Sequence, residues 1–378
     1  MATINLRNES LVIGHFRNIK DRLFGVKRSK NEPYVATDGT GGGGGLSGFD
    51  TLPVEMQFLI ITFLSPQDLC RLGGTSRYWR ALIQDPSLWK YFLLRDMPLW
   101  SSIDHLSMPD MESLERALSE SSESESRDFM ADYLKACPAC RGLWHQSRPA
   151  YEAVTSFLKS MVVTAEPRFA MFGPGLEKLE VSLVTTMLNS PNILPVTGVT
   201  HRQINGIGSG ISFMYSDQHK FNILTLYSTN RTERERARLE NVDVHSRLFT
   251  QREDEDSGRP TFHLAPNVQE VCRAVDGFIF VTNAERGKES DEAKEREFAQ
   301  IRAMLEPVWG PSSRPLLVLS CTAHEGPECP RVPCLKAAQW LKLNLLPNPW
   351  MVQDTVAETL SGLLDGILWL LRHSGIRL

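Results

Sequence analysis

Cysteine and histidine side chains are the first candidates for chemistry in this chain. Cys137 and Cys140 form a Cys-x-x-Cys pair, a spacing that suits zinc binding or thiol–disulfide exchange. The other candidate ligands are His145, His324, Cys329 and Cys334. Their spacing is irregular, and the pair follows a predicted helix, whereas a thioredoxin-type pair opens a helix after a strand. The pattern predicts free thiols, with structural zinc as the alternative, and no metal ligand or catalytic residue is assigned.

A glycine-rich turn at residues 172–180, FGPGLEKLE, is the second candidate, because it joins a predicted strand to a predicted helix. A phosphate-binding loop needs Gly-x-x-x-x-Gly-Lys-Ser/Thr. Counted from Gly173, the positions for Gly, Lys and Ser/Thr hold Lys178, Leu179 and Glu180. A carboxylate at the last position repels phosphate. The turn therefore predicts no nucleotide binding, and Gly173→Val is expected to have little effect on function.

Other elements of a guanine-nucleotide site are also missing from the sequence. The predicted strand at 220–230 ends without an acidic residue for Mg²⁺, and residues 315–326 lack Asn-Lys-x-Asp. The glycines at 206–210 precede a strand, whereas phosphate binds at helix N-termini. We therefore predict no cofactor. A GTP-binding regulatory GTPase is the alternative.

Length and composition restrict the class of protein. The chain has 378 residues, enough for two or three domains, and its formal charge of −4 gives no overall attraction to nucleic acid. No apolar run approaches the roughly 20 residues of a membrane span. Seven cysteines are an odd, sparse count for a disulfide framework. These features predict an intracellular protein of the cytoplasm, with the nucleus as a second compartment, that binds neither nucleic acid nor membrane.

Residues 1–48 are predicted to form a basic amphipathic helix followed by a flexible linker. Residues 1–30 carry seven Lys or Arg against two Asp or Glu. The apolar residues that recur at helical spacing are Val12, Phe16, Ile19 and Leu23. This stripe predicts packing on the same chain, or on a second copy as a homodimer, rather than on lipid. Seven glycines at 38–48 predict the linker.

Residues 150–378 are predicted to form an α/β domain. The β-rich runs are 168–172, 211–215, 220–227, 277–282, 315–321 and 350–354. The predicted helices are 175–189, 231–249, 266–275, 289–306, 334–345 and 355–372. This alternation predicts a mostly parallel sheet, and the short gap after 211–215 requires an antiparallel hairpin within it. The preceding segment, 96–149, is predicted to be a helical and disordered linker, because its SESSESES run cannot form a core.

Residues 49–95 are predicted to form three short helices. Leu52-Pro53 places a proline at the start of the first, and Ser65-Pro66 ends it and opens the second. Gly73-Gly74 ends the second helix, and Asp85-Pro86 ends the third. Helices of about ten residues share a small core. Their apolar content exceeds what such a core buries, so a surplus apolar patch is expected to bind a partner.

The string LPVE, followed by IITFLSPQDLCRLGGTSRYWRALIQDPSLWKY, closely resembles an F-box. The resemblance implies docking of a Skp-type adaptor, which joins F-box proteins to a cullin–RING scaffold in an SCF-type ubiquitin ligase. It assigns the adaptor contact and its supporting core to Leu52, Pro53, Ile60, Leu64, Leu69, Leu72, Trp79 and Trp89. Residues 74–76, Gly-Thr-Ser, depart from the family, in which many members have an apolar residue and Cys.

The C-terminal region resembles a Ras-like GTPase fold without its nucleotide site, as found in F-box substrate receptors with an atypical GTPase-like domain. The strings that carry the resemblance are RFAMFGPGLEKLEVSL, RQINGIGSGISF, QHKFNILTLYST and NPWMVQDTVAETLSG. It implies a multidomain, non-catalytic receptor with telomere repeat-binding factor and D-type cyclins as clients, and hence roles in telomere maintenance and cyclin degradation. It also implies N-terminal phosphorylation and dimerisation. Residues 1–30 contain no Ser-Pro, which leaves Ser10 and Ser29 as weak candidates.

Two features suggest where a client binds. The strand at 211–215 is expected at or near a sheet edge, and an unpaired edge accepts an added strand. In the predicted helix at 334–345, a tryptophan lies opposite the apolar stripe, and a solvent-facing Trp is a typical interface anchor. Packing between domains is the alternative for this Trp. The candidate client-binding residues are Ile211, Phe213, Tyr215, Ala338 and Trp340.

Overall fold

The chain forms two compact units. The computed structural model describes residues 12–14, 16–21, 49, 51–108, 128–145, 166–200, 207–216, 218–228, 248–253, 260–285, 291–326 and 331–375. The helical unit comprises Met1–Met97 and Pro109–Cys137, and the α/β unit comprises Pro98–Met108 and Pro138–Leu378. Part of the predicted linker therefore belongs to each unit.

The helical unit has one more helix in the predicted three-helix region than the sequence analysis expects. Its described helices are α1 (residues 12–14 and 16–21), α2 (Val54–Thr62), α3 (Pro66–Gly73), α4 (Arg77–Ile83), α5 (Pro86–Asp96) and α6 (Phe129–Ala136). Ser65 and Ser76 cap α3 and α4. Asp85-Pro86 does more than end α4: the Asp85 side chain accepts a hydrogen bond from the Ser87 N–H at 2.8 Å and caps α5.

Aromatic side chains fill the core of the helical unit. Trp89 and Phe92 of α5 are buried, and the Tyr133 ring of α6 lies 5.4 Å from the first ring and 6.2 Å from the second. The Tyr133 hydroxyl donates to Asp96 Oδ2 at 2.8 Å, and burial raises the Tyr133 pKa. Since each large aromatic buries about 150–250 Å², α6 completes this core although it comes from the predicted linker.

Helix α1 packs on α2 of the same chain. Val12 and Phe16 are buried, and the Phe16 ring meets the Phe58 ring edge-on at 5.9 Å. Of the two predicted alternatives, the structure shows packing on the same chain, so this part of the stripe is not open to a second copy. The predicted residues that lie outside the described ones are Ser10, Leu23 and Ser29.

The α/β unit contains an eight-stranded sheet. The described strands are β1 (Ser102–Asp104), β2 (Arg168–Phe172), β3 (Val196–Thr200), β4 (Ile207–Tyr215), β5 (His219–Ser228), β6 (Phe249–Glu253), β7 (Pro260–Leu264), β8 (Gly277–Asn283), β9 (Leu316–Thr322) and β10 (Trp350–Val356). The sheet order is β1-β10-β9-β8-β2-β5-β4-β3, with β6 and β7 as a separate hairpin. The five strands from β10 to β5 are parallel to one another, whereas the pairs β1–β10, β5–β4 and β4–β3 are antiparallel. The prediction of a mixed, mostly parallel sheet is confirmed.

Helices cover the sheet. They are α7 (Pro138–His145), α8 (Gly175–Lys178), α9 (Leu183–Asn189), α10 (Pro266–Ala274), α11 (Asp291–Met304), α12 (Cys334–Trp340) and α13 (Leu363–His373). Helices α8, α9 and α13 pack their apolar residues on the sheet face that carries Phe169 and Met171. Every residue of β8 and β9 is buried, as expected for parallel strands that are covered on both faces.

The sequence pattern predicts neither of the two outer strands. Strand β1 comes from the predicted linker and pairs antiparallel with β10, and β3 pairs antiparallel with β4. Both are short and lack the apolar run of the central strands. The predicted helix at 175–189 is divided into α8 and α9, and the one at 355–372 begins only at Leu363, because β10 continues to Val356. Most of the predicted helix at 231–249 lies outside the described residues.

Candidate functional site

Helix α2 is apolar on two opposite faces. Its buried residues are Val54, Gln57, Phe58 and Ile61. At 100° per residue, Met56, Leu59 and Phe63 lie on the other side, with 46%, 49% and 81% of their surfaces exposed. We call these three residues the exposed apolar stripe. A soluble protein rarely exposes neighbouring large apolar side chains without a partner for them.

The residues assigned to adaptor binding divide into an accessible and a buried group. Pro53 is exposed, and the half-buried members are Leu52, Ile60, Leu64 and Leu72. The buried members are Leu69, Trp79 and Trp89. Most of the accessible group is close in sequence to the exposed apolar stripe. The buried group belongs to the core of the helical unit. The assignment of these residues to adaptor binding stays a prediction.

A buried polar contact fixes α2 on that core. Gln57 is fully buried; its Oε1 accepts a hydrogen bond from the Tyr78 hydroxyl, and its Nε2 donates to the Phe49 carbonyl at 3.1 Å. The Phe49 ring stacks on Trp79 at 4.4 Å. Because a buried amide is costly unless it is hydrogen-bonded, these contacts specify which face of α2 turns inward.

In the α/β unit, the glycine-rich turn after β2 is filled by protein. Gly173 has φ +122°, and a Cβ there would lie 2.4 Å from the Val281 carbonyl oxygen; one on Gly175 would lie 2.8 Å from Val281 Cγ1. Both glycines therefore allow close packing on β8 rather than approach of a phosphate. Glu177, one residue before Lys178, is buried, and Glu180 is exposed. The expectation that Gly173→Val has little effect is wrong, because the side chain has no space.

Acidic side chains and a histidine lie where the segments after β2, β8, β9 and β10 meet. His324 Nδ1 is 2.9 Å from Glu358 Oε2, and His324 Nε2 is 4.0 Å from Glu180 Oε2. The hydrogen bond with Glu358 raises the pKa of His324. The Ala323 N–H donates to Glu285 Oε1 at 3.3 Å. Carboxylates at these loops disfavour a polyphosphate.

An arginine beneath these loops is engaged by the protein itself. Arg331 Nη2 donates to the Ser320 carbonyl at 3.1 Å and to the Thr355 carbonyl, and its Nε is 3.6 Å from Asp354. Cys334 Sγ donates to Asp354 Oδ1 at 3.0 Å. Burial raises the pKa of both Cys334 and Asp354. This network joins β9, β10 and α12, and it engages the Arg331 guanidinium in contacts within the protein.

The proposed client surface needs correction. Ile211 and Phe213 are buried in the core on one sheet face, and β4 is not the edge because it pairs with both β3 and β5. Tyr215 is half-buried, and Ala338 is buried in the contact of α12 with the sheet. Trp340 is half-buried, with Lys294 Nζ 4.0 Å from its ring centroid. Of the five candidates, only Tyr215 and Trp340 reach the surface.

The thiols are free among the described residues. Cys137 is buried and Cys140 is half-buried, and neither forms a disulfide. Within the described ranges, no three His, Cys, Asp or Glu side chains come together to hold a metal ion. Burial raises the pKa of Cys321 to about 12, so this thiol stays protonated at neutral pH. Cys329 lies outside the described residues.

Comparison with known proteins decides the family. A model of F-box-like domains matches residues 49–95. F-box only protein 4 of Bos taurus is 50% identical over 86% of this chain and 84% of its own length, and that of Homo sapiens is 50% identical over 85% and 82%. The chain belongs to the F-box only protein 4 family.

None of the described helices is long and apolar enough to cross a bilayer.

The F-box match lies in the helical unit. The α/β unit was compared with solved structures. A solved structure of the small GTPase Arl6 BBS3 from Trypanosoma brucei, with the bound nucleotide analogue GppNp, aligns with 14% identity and a TM-score of 0.31, over 56% of this chain and 98% of that one. That TM-score is too low to support an argument about fold or nucleotide binding. The strand order and the filled turn after β2 are the relevant facts for this F-box protein.

The sequence predicts a surplus apolar patch in residues 49–95, but it does not identify the residues of the exposed apolar stripe as that patch. Met56, Leu59 and Phe63 follow helical spacing, as do the residues of the buried face, and periodicity alone does not tell which face turns inward. A signal was available: apolar residues occur on both sides of one short helix. A helix with two apolar faces needs two partners, one inside the protein and one outside.

Proposed function

We propose that this F-box only protein 4 relative is the substrate-recognition subunit of an SCF-type cullin–RING ubiquitin ligase. In this proposal, the helical unit binds a Skp-type adaptor and the α/β unit captures client proteins for ubiquitination and degradation. The observation that carries the proposal is the exposed apolar stripe of α2, which lies within the F-box match at residues 49–95.

Adaptor binding would bury the exposed apolar stripe together with Pro53. Transfer of apolar surface out of water contributes about 25 cal/mol per Å², and a large side chain such as Phe63 loses most of its hydration when covered. Leu69 and Trp79, buried underneath, keep the stripe on a rigid support. A rigid, apolar surface of this kind is typical of interfaces with a few dominant residues.

The receptor contributes no catalytic residue in this proposal. It acts by holding the client close to the charged conjugating enzyme, which raises the effective concentration of the client lysines. By resemblance to the family, telomere repeat-binding factor and D-type cyclins are the proposed clients. Capture of such clients in the cytoplasm and nucleus is the proposed setting, and imaging of the tagged full chain tests it.

For client capture we propose two separate contacts: the edge of β3, the last described strand at one end of the sheet, and Trp340 on α12, which packs on β10 and β1 at the other end. Strand β3 ends the eight-stranded sheet, and its Val199 is 44% exposed. An edge strand with exposed apolar residues accepts a strand from another protein through backbone hydrogen bonds. This edge replaces the β4 strand of the sequence prediction, because Phe213 would have to leave the core to contact a client.

The adaptor arm of the proposal is tested with the Leu52→Ala/Pro53→Ala double variant of the full chain. We expect loss of adaptor co-purification, while binding of recombinant telomere repeat-binding factor is retained. Retention of the adaptor would contradict the assignment of the binding surface. Loss of both partners would mean that the variant disturbs more than the adaptor surface.

The client arm is tested with Val199→Lys and Trp340→Glu. Each is expected to weaken client binding while the adaptor stays bound, because the changes lie in the α/β unit. Val308→Lys is the matched control, since Val308 is a large exposed apolar residue (67%) in the same unit. Unchanged client affinity in Val199→Lys would exclude the β3 edge, and unchanged affinity in Trp340→Glu would exclude the Trp340 contact. Client that is bound but never ubiquitinated would indicate a scaffold instead.

A further inference from the structure

Helix α1 contacts the start of α2, where the adaptor surface begins. Lys20 Nζ donates to the Leu52 carbonyl oxygen at 2.8 Å. Arg17 forms an ion pair with Glu55, in the first turn of α2. These contacts join residues more than thirty positions apart in sequence, so α1 is attached to the F-box by tertiary contacts.

The start of α2 has no side-chain cap. Its N-cap is Pro53, which provides no side-chain hydrogen bond to the first turn, whereas α3, α4 and α5 all have capping side chains. The Leu52 N–H donates to the Phe49 carbonyl at 3.3 Å, a long bond. The Lys20 ammonium, at 2.8 Å, forms the shorter hydrogen bond, and its acceptor is the carbonyl of the Leu52–Pro53 peptide.

The apolar part of α1 secures this contact. Phe16 is fully buried and packs edge-on against Phe58, which lies on the inward face of α2. Because Phe58 and the exposed apolar stripe lie on opposite sides of α2, helix α1 supports the adaptor face from behind and leaves it uncovered. A proline has a fixed φ, −53° here, so the position of the Leu52 peptide sets the direction in which α2 leaves it.

We propose that α1 is an integral part of the adaptor-binding module, with Lys20 as the positioning residue for the Leu52-Pro53 entry. The inference rests on the proposed adaptor binding and adds a residue outside the F-box match at 49–95. Lys20 touches no adaptor atom in this proposal. It acts by keeping Leu52 and Pro53 in the geometry that the adaptor recognises.

Adaptor affinity of the full chain, measured by calorimetric titration with a purified Skp-type adaptor, tests the proposal. Lys20→Met keeps the aliphatic part of the side chain and removes the donor. We expect roughly a three- to ten-fold loss of affinity, the range for the net contribution of one ordinary hydrogen bond. Lys20→Arg keeps a cationic donor and is expected to restore most of the affinity.

Lys135→Met is the matched control, because Lys135 is an exposed lysine of α6 in the same unit. It should bind the adaptor like wild type. Phe16→Ala, which removes the packing of α1 on α2, should lower both the adaptor affinity and the melting temperature. Lys20→Met should lower the affinity with little change in melting temperature, which a purely structural role for Lys20 would not produce.

The two proposals fail in different ways. No adaptor binding by the wild-type chain would overturn the proposed function. Wild-type binding that Lys20→Met leaves unchanged would overturn the positioning role, and so would a loss that Lys20→Arg does not restore. Higher affinity after the Phe16→Ala change would show that α1 obstructs the adaptor, the opposite of this inference.

Discussion

Replacement of Gly173 by alanine separates a packing role for the turn after β2 from a phosphate-binding role. Its φ of +122° lies in a region that L-residues rarely adopt, and the added Cβ would face the Val281 backbone of β8. If the glycine serves packing, Gly173→Ala lowers the stability of the α/β unit. If it leaves room for a ligand, the fold tolerates the change.

The expected loss has two parts. A non-glycine residue in this region of backbone space costs about 1–3 kcal/mol. The new Cβ would lie 2.4 Å from the Val281 oxygen, whereas ordinary contact begins at 3.4 Å, so the turn or β8 must move by about 1 Å. Overpacking of this kind costs about 1–3 kcal/mol. After about 0.5–1 kcal/mol is returned by the stiffer unfolded chain, the net loss is about 1–5.5 kcal/mol, a large share of the stability of a typical domain.

Urea unfolding of the full chain measures this loss, with hydrogen exchange of the β8 peptide as the probe specific to the α/β unit. With a denaturant slope of about 3 kcal/mol per M, the midpoint should fall by about 1 M. Gly198→Ala is the matched control: Gly198 lies on the edge strand β3, where a Cβ would find Ser212 Oγ at a comfortable 3.7 Å. A midpoint for Gly173→Ala within error of Gly198→Ala would refute the packing argument.

Three further predictions concern binding and pH. Phe63→Ala should weaken adaptor binding by about 2 kcal/mol or more, as for a central interface residue, and should change stability by less than about 0.5 kcal/mol. Val308→Ala, which truncates another exposed apolar side chain, should change neither the adaptor affinity nor the stability. His324 should titrate above 6.5 by NMR, and Glu358→Gln should lower its pKa. Because the folded state favours the charged imidazole, the His324–Glu358 contact contributes its full stabilisation below pH 6.5, and this stabilisation is lost as the pH rises through the raised pKa of His324. A His324 pKa that Glu358→Gln leaves unchanged would contradict the contact. Titration with Mg²⁺ and GTP should give no binding, and micromolar affinity would support the regulatory GTPase instead.

Helix starts in the F-box were predictable because capping is local. Ser65-Pro66 marked the start of α3, since a serine oxygen and a proline ring suit the first turn regardless of the rest of the fold. Asp85-Pro86 carries the same signal, which the sequence analysis used only to end a helix, and α5 was missed for that reason.

Central strands were also predictable, but edge strands were not. The runs at 168–172 and 277–282 are apolar throughout because both faces of β2 and β8 are covered. Strand β3 begins with Val196-Thr197-Gly198, which has no strong strand pattern, and it forms because β4 provides a backbone to pair with. Because the sequence does not predict β3, it places Ile211 and Phe213 at a sheet edge and predicts a client surface there.

Short-range patterns thus predicted the F-box, the mixed α/β sheet and the lack of a phosphate-binding motif. Capping, strand hydrophobicity and motif spacing depend on residues close together in the chain, so the sequence alone carries them. Tertiary structure alone decided which face of α2 stays exposed, where the sheet ends, and that α1 packs on the F-box through Phe16 and Lys20. Those outcomes depend on contacts between residues far apart in sequence. Which of two apolar faces turns inward is determined by the partners available to each, such as Tyr78 for Gln57.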